Sequence, residues 1–191
     1  MKYRALYCMK LISEEYLTSK PDLEAQRRSN LKLEVNCLKK ADPNTSISLI
    51  EKFEYGNCQV IITDLIVGCD IDTLRQDYRS SFLDEVEARN ILKGIVLCLE
   101  RFRDEERKIV HRDLHHKNIM LHFKELEPSQ RDMQDPLEFW RKLDRKVAEA
   151  TRKLQDASKF QVKVIDYGFA KTLGEDEVTD TPFGVPFTKA P

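Results

Sequence analysis

The sequence predicts an α+β fold in two lobes. A strand-like run, a long charged helix and a strand pair come first along the chain. From residue 84 onward, amphipathic helical patterns and polar loops dominate. Strands and helices segregated along a chain, rather than strictly alternating, mark an α+β arrangement.

Residues 4–12, Arg-Ala-Leu-Tyr-Cys-Met-Lys-Leu-Ile, read as a strand with one lysine inside it. Pro21-Asp22 marks a helix start with Asp22 as its cap, and a charged helix runs from there to about Lys40. Asp42-Pro43-Asn44 stops it. Two strands follow, over 47–53 and 59–63, with Tyr55-Gly56-Asn57 as the turn between them. From Asp84 to Arg103, Val86, Ala88, Ile91, Leu92, Ile95, Val96, Leu99 and Phe102 recur at helical spacing and predict one apolar face. Acidic residues at 84, 85 and 87 suit the positive end of that helix dipole. Residues 109–123 read as strand, loop and strand, and residues 124–136 as a polar stretch with two prolines. A second amphipathic helix is expected over 137–154, docking through Leu137, Trp140, Leu143 and Val147, with Arg141, Lys142, Arg145 and Lys146 on its polar face. Val162-Lys163-Val164-Ile165 is a short strand leading into Asp166, and residues 173–191 read as loop.

A chain of 191 residues, 41% hydrophobic and 34% charged, suits one sizeable soluble domain. The net charge of −1 argues against nucleic-acid or membrane-surface binding through bulk charge. Five cysteines at wide spacing, with no C-x-x-C, indicate a reducing compartment. The longest apolar run, 60–67, is interrupted by Asp64, and the start lacks a signal-peptide layout. The expected location is therefore intracellular, cytoplasmic or nuclear.

The most informative stretch is His111-Arg112-Asp113-Leu114 with Asn118 five positions after Asp113, all between apolar flanks. Asp166-Tyr167-Gly168-Phe169-Ala170 follows the last strand. Phosphoryl transfer needs a carboxylate that orients a hydroxyl and oxygen ligands for Mg²⁺ on the phosphates. Asp113, Asn118 and Asp166 supply those groups. Four histidines fall within 111–122, but no cysteine joins them and no H-E-x-x-H occurs, so their spacing does not favour zinc.

These motifs resemble the catalytic and metal-binding loops of eukaryotic-type protein kinases, of the serine/threonine kind. The resemblance covers residues 3–191. It implies a kinase-like two-lobe fold, with 3–66 as a partial N-lobe, 67–191 as a partial C-lobe and an insertion at about 124–160. It implies ATP and Mg²⁺ as cofactors and a protein substrate. Lys10 would contact the phosphates, held by Glu34 on the following helix. Thr63 would guard the back of an adenine pocket, Asp64 and Ile66 would offer backbone groups to the adenine edge, and Met120 would join the nucleotide site. Asp113 would orient the acceptor hydroxyl, while Asn118 and Asp166 would hold Mg²⁺. Arg112 would receive a phosphate on Thr181, which lies three residues before Gly184, placed there by an upstream activating kinase. Gly184-Val185-Pro186-Phe187-Thr188-Lys189-Ala190-Pro191 resembles the end of the family's activation segment.

The chain departs from the family pattern in several places. No Gly-rich loop precedes Lys10, and the sequence stops at Ala190-Pro191, so it reads as a kinase domain truncated at both ends. His115 stands where these kinases carry lysine, Val185 where they carry threonine, Tyr167 where they carry phenylalanine, and Cys8 where a small residue lies beneath adenine. These departures keep open a pseudokinase or scaffolding fragment. A small-molecule phosphotransferase is disfavoured by Arg112 and by Ala190-Pro191.

Overall fold

The computed structural model describes residues 6–78, 82–104 and 107–172. In chain order the elements are β1 (Tyr7–Ser13), α1 (Glu14–Thr18), α2 (Pro21–Lys40), β2 (Leu49–Tyr55), β3 (Cys58–Asp64), β4 (Gly68–Asp70), α3 (Ile71–Thr73), α4 (Glu85–Arg103), β5 (Ile109–Val110), β6 (Ile119–His122), α5 (Pro136–Ala150), β7 (Gln161–Val164) and β8 (Lys171–Thr172). This is an α+β fold, as the sequence indicates.

β1, β3 and β2 form an antiparallel sheet in that order, with Lys10 opposite Ile61. The β2–β3 hairpin closes on Gly56, whose φ of 55° is the left-handed conformation such a turn demands. Next to this sheet, α2 buries Leu31, Glu34, Val35, Cys37 and Leu38 along one face. Its cap is Lys20 rather than Asp22, and Pro21 opens the first turn. Proline suits the first helical position because its φ is preset and no N–H is left unpaired, which puts the cap at Lys20, two residues before Asp22. Asp22 instead sits within the first turn, where its charge complements the dipole. α1 was not legible from periodicity. Ser13 starts it by accepting a hydrogen bond from Tyr16 N at 3.1 Å.

A second antiparallel sheet runs β4-β6-β7. α4 lies on β7 at close range: a Cβ added to Gly94 would come within 2.3 Å of Val162 Cγ2. Asp84 caps α4 in a reciprocal capping box with Glu87, so the helix starts where its acidic cluster suggests. The expected single apolar face divides in two. Ile91, Cys98 and Phe102 are buried, whereas Val86, Leu92, Val96 and Leu99 are exposed. Eight apolar positions span a wider arc than one sheet contact can cover.

α5 ends at Ala150, earlier than expected, and continues as a short 3₁₀ turn. It docks through Phe139, Val147 and Ala150, with Leu143 partly buried. Leu137 and Trp140 are exposed, at 68% and 45%, contrary to expectation. At 100° per residue, Phe139, Leu143, Val147 and Ala150 form one narrow stripe, and Leu137 and Trp140 fall to its side.

Residues 45–48 connect the two sheets. Thr45 O accepts from Val164 N at 3.0 Å, and Ser48 O accepts from Asp64 N at 3.1 Å. Ser46 forms a parallel bridge with Val164. Among the described residues, no helix is long and apolar enough to cross a membrane.

Candidate active site

Strand pleating turns Lys10 toward α2, where Glu34 occupies the buried face. Lys10 Nζ lies 2.6 Å from Glu34 Oε1. Both residues line a cleft of about 460 Å³, together with Thr63, Asp64, Ile66, Met120 and Asp166. Cys8 lines it as well. The cleft therefore gathers residues from β1, α2, the end of β3, β6 and the loop after β7.

The Asp64 side chain is engaged away from its backbone. Its Oδ1 accepts from Ser48 N at 2.5 Å, and its Oδ2 is 3.4 Å from Lys163 Nζ. Lys163 is buried. Sequence reading did not single it out, although a lysine in the middle of an apolar strand was a visible signal.

Between β5 and β6 runs the loop carrying His111, Arg112, Asp113 and Asn118. His111 is buried and its Nε2 donates to Ile165 O at 3.0 Å. Its ring stacks on Phe102 and meets Tyr167 edge-on. Nδ1 is buried without a hydrogen-bond partner, and burial pushes the imidazole pKa down. Arg112 adopts φ 64°, and its Nε donates to Phe169 O at 2.6 Å. Asn118 Nδ2 donates to Asp113 O at 2.9 Å. That bond fixes the amide orientation and leaves Oδ1 as the atom suited to a hard cation. His115 Nε2 lies 3.1 Å from Asn118 Nδ2 and 3.5 Å from Asp113 Oδ2.

One backbone bond links this loop to the cleft: Ile165 N donates to Asn118 O at 3.0 Å. Asp166 follows with φ 61°, a left-handed conformation rare for a residue with a side chain, and Gly168 N donates to its Oδ1 at 3.1 Å. Asp113, Arg112 and Asn118 do not line the cleft themselves; they stand beside it on this linked loop. Thr181 and Gly184–Pro191 lie outside the described residues.

The other histidines are engaged singly. His122 is buried, with Nδ1 accepting from Val67 N at 3.1 Å and Nε2 2.9 Å from Glu127 Oε1. His116 Nε2 is 3.5 Å from Asp72 Oδ1. Among the described residues, no three His, Cys, Asp or Glu side chains gather as a metal centre. A cation here would need phosphate oxygens beside Asp166 and Asn118, which is how Mg²⁺ is commonly held on a nucleotide.

The family model for the protein kinase domain matches residues 2–191. The chain belongs to that family. It is 25% identical over 185 residues to myosin light chain kinase A of Dictyostelium discoideum, covering 97% of this chain and 48% of that protein. It is 31% identical over 122 residues to calcium-dependent protein kinase 4 of Plasmodium falciparum, covering 63% of this chain and 21% of that one. Against the cGMP-dependent protein kinase of Plasmodium berghei, the identity is 28% over 116 residues, covering 60% of this chain and 12% of the relative. The chain thus spans less than half the length of each of these curated relatives.

Proposed function

We propose that this protein transfers the γ-phosphate of Mg-ATP to a protein hydroxyl, of serine or threonine rather than tyrosine. The observation carrying this reading is the cleft that joins the Lys10–Glu34 pair to Asp166, with the Asp113–Asn118 loop bonded to its floor. Lys10, held by Glu34, attracts phosphate oxygens. Thr63, Asp64, Ile66 and Met120 form the adenine end. Asp166 and Asn118 Oδ1 would hold Mg²⁺, which when bound would supply charge neutralisation at the phosphates. Asp113 orients the acceptor hydroxyl and receives its proton. Residues 3–66 and 67–191 act as the two lobes, with 124–160 inserted in the second. A protein substrate, an upstream kinase acting on Thr181 and an intracellular location complete the proposal. The serine/threonine preference rests on the Gly184-Val185-Pro186-Phe187 run and on the named relatives.

The second reading is a pseudokinase that scaffolds without catalysis. The observation favouring it is His115, whose imidazole faces both Asp113 and Asn118 where the family carries lysine. One experiment decides between them. Nucleotide binding and phosphotransfer are measured with and without Mg²⁺, in wild type and in Asp166→Asn. The kinase reading expects Mg²⁺-dependent binding and turnover that Asp166→Asn abolishes. Binding without turnover supports the scaffold, and unchanged turnover in the variant removes Asp166 from the mechanism.

A further inference from the structure

We propose that Ser46 is a positioning residue for Asp166, acting through the hydroxyl of Tyr167. This rests on the reading above, in which Asp166 is a Mg²⁺ ligand. Asp166 holds φ 61°, a conformation that a residue with a side chain keeps only where its neighbours enforce it. On its N-terminal side, Ile165 is fixed by bonds to Asn118 and His111. On its C-terminal side stands Tyr167, fully buried and packed edge-on against Phe102 at 6.0 Å and His111 at 5.3 Å.

Ring packing alone does not fix how far the tyrosine enters its slot. Its hydroxyl supplies that limit by hydrogen bonding to Ser46 Oγ. Ser46 is fully buried, and its Oγ also lies 3.3 Å from Val164 O. Each hydroxyl has one proton, so Tyr167 donates to Ser46, and Ser46 donates to a carbonyl, with Val164 O and Ile47 O both 3.3 Å away. Val164 lies two residues before Asp166 and Tyr167 one after it. The relay therefore closes a loop around the strained residue and ties it to the stretch leaving α2.

The two hydroxyls depend on each other. Removing either leaves the other buried with a lost partner, while removing both leaves an apolar contact between the two side chains and costs only the Ser46 donor that Ser46→Ala already removes. The test follows from that asymmetry. Binding of a non-hydrolysable ATP analogue to the full chain is titrated with Mg²⁺ in wild type, Ser46→Ala, Tyr167→Phe, the double variant and Asp166→Asn. Each single variant is expected to raise the Mg²⁺ midpoint about fivefold, the scale of one buried hydrogen bond, and to leave Mg²⁺-free affinity within about twofold. The double variant is expected to be no worse than Ser46→Ala alone.

Single variants that melt earlier yet keep the wild-type midpoint would overturn the proposal, because the pair would then be structural only. Additive shifts in the double variant would overturn it too. If Ser46→Ala fails to fold, Tyr167→Phe decides, since it keeps the ring and loses one oxygen. A wild-type Mg²⁺ response that survives in Asp166→Asn sinks the reading of Asp166 itself. Loss of the response in Asp166→Asn with unmoved Tyr167→Phe sinks only the Ser46 relay. Absence of any Mg²⁺ response in wild type overturns both.

Discussion

Lys10 Nζ and Glu34 Oε1 are 2.6 Å apart, yet the lysine side chain is 48% exposed and the glutamate only 8%. The pair is asymmetric. The acid is part of the inner face of α2, and the base reaches it from the rim of the cleft. Solvent around the lysine screens their attraction, so the pair adds about 1 kcal/mol or less to stability. Its consequence is positional: it sets where the ammonium stands relative to Asp166.

Glu34→Gln tests that separation of roles. The neutral amide keeps the size and loses the charge that holds Lys10. The expected melting temperature is close to wild type, while Mg-ATP turnover falls at least ~10-fold, as expected when a phosphate-contacting charge is misplaced. Thermal denaturation and a phosphotransfer assay on the same sample check it. Equal losses in both would make the pair a stability element.

Thr181→Ala tests the proposed regulation. A phosphate there adds about two negative charges and pairs with a guanidinium by charge-assisted hydrogen bonds. Arg112 is already oriented by its bond to Phe169 O, which starts the segment leading toward Thr181. The expected outcome is that an activating kinase stimulates wild type and leaves Thr181→Ala at its basal rate. Equal stimulation of both would move attention to Thr179.

The legible parts of this fold share one property: their signal is local. His111-Arg112-Asp113 with Asn118, and Asp166-Tyr167-Gly168, are fixed spacings within single loops. The helix at 85–103 shows a long periodic run led by capping acids, and the helix at 21–40 is bracketed by Pro21 and Asp42-Pro43-Asn44, so the existence of both reads well, although the cap of the latter is Lys20 and not Asp22. α1, β4 and α3 span five, three and three residues, too few for a period to emerge. The division of the α4 apolar surface was not legible either, because periodicity shows which residues share a face and not how much of it is covered. Least legible were the long-range polar pairs. Ser46 and Tyr167 are 121 positions apart, and Lys163 and Asp64 are 99 apart. Nothing within either strand or loop announces its partner.

The docking of α5 makes a paired prediction. Phe139 is 2% exposed and Trp140 is 45% exposed, although they are adjacent and in edge-to-face contact. Phe139→Ala is expected to cost about 3–5 kcal/mol, as buried aromatic truncations do. Trp140→Ala is expected to cost about 1 kcal/mol or less, because half of its surface is already in water. Denaturant unfolding of the two variants checks the order. A reversed order would mean that the helix is rotated about its axis. Trp140 is the single tryptophan, so wild-type emission is expected between the buried and fully hydrated limits.

His111 sets the last expectation, a loss of stability in mild acid. Burial holds its folded pKa below the ordinary value, while Asp113 and Asp166 oppose that shift and His115 adds to it. The unfolded chain titrates near the ordinary value of about 6.5, so below that pH it binds the proton more readily than the folded chain. The His111 contribution is therefore complete above about pH 6.5 and is lost as pH falls toward the folded value, at up to about 1.4 kcal/mol per pH unit. His122 works in the same direction, since its pKa is also lowered by burial. His111→Phe keeps the stacking against Phe102 and Tyr167 and removes the proton site. It also strips the donor from Ile165 O, so the variant is less stable at every pH. The informative quantity is the slope: between pH 6.5 and 5 its stability is expected to fall less steeply than that of wild type. Chemical denaturation across that range measures both slopes. Parallel slopes would mean that His111 already carries its proton in the folded chain, with the buried Nδ1 paired to an acceptor.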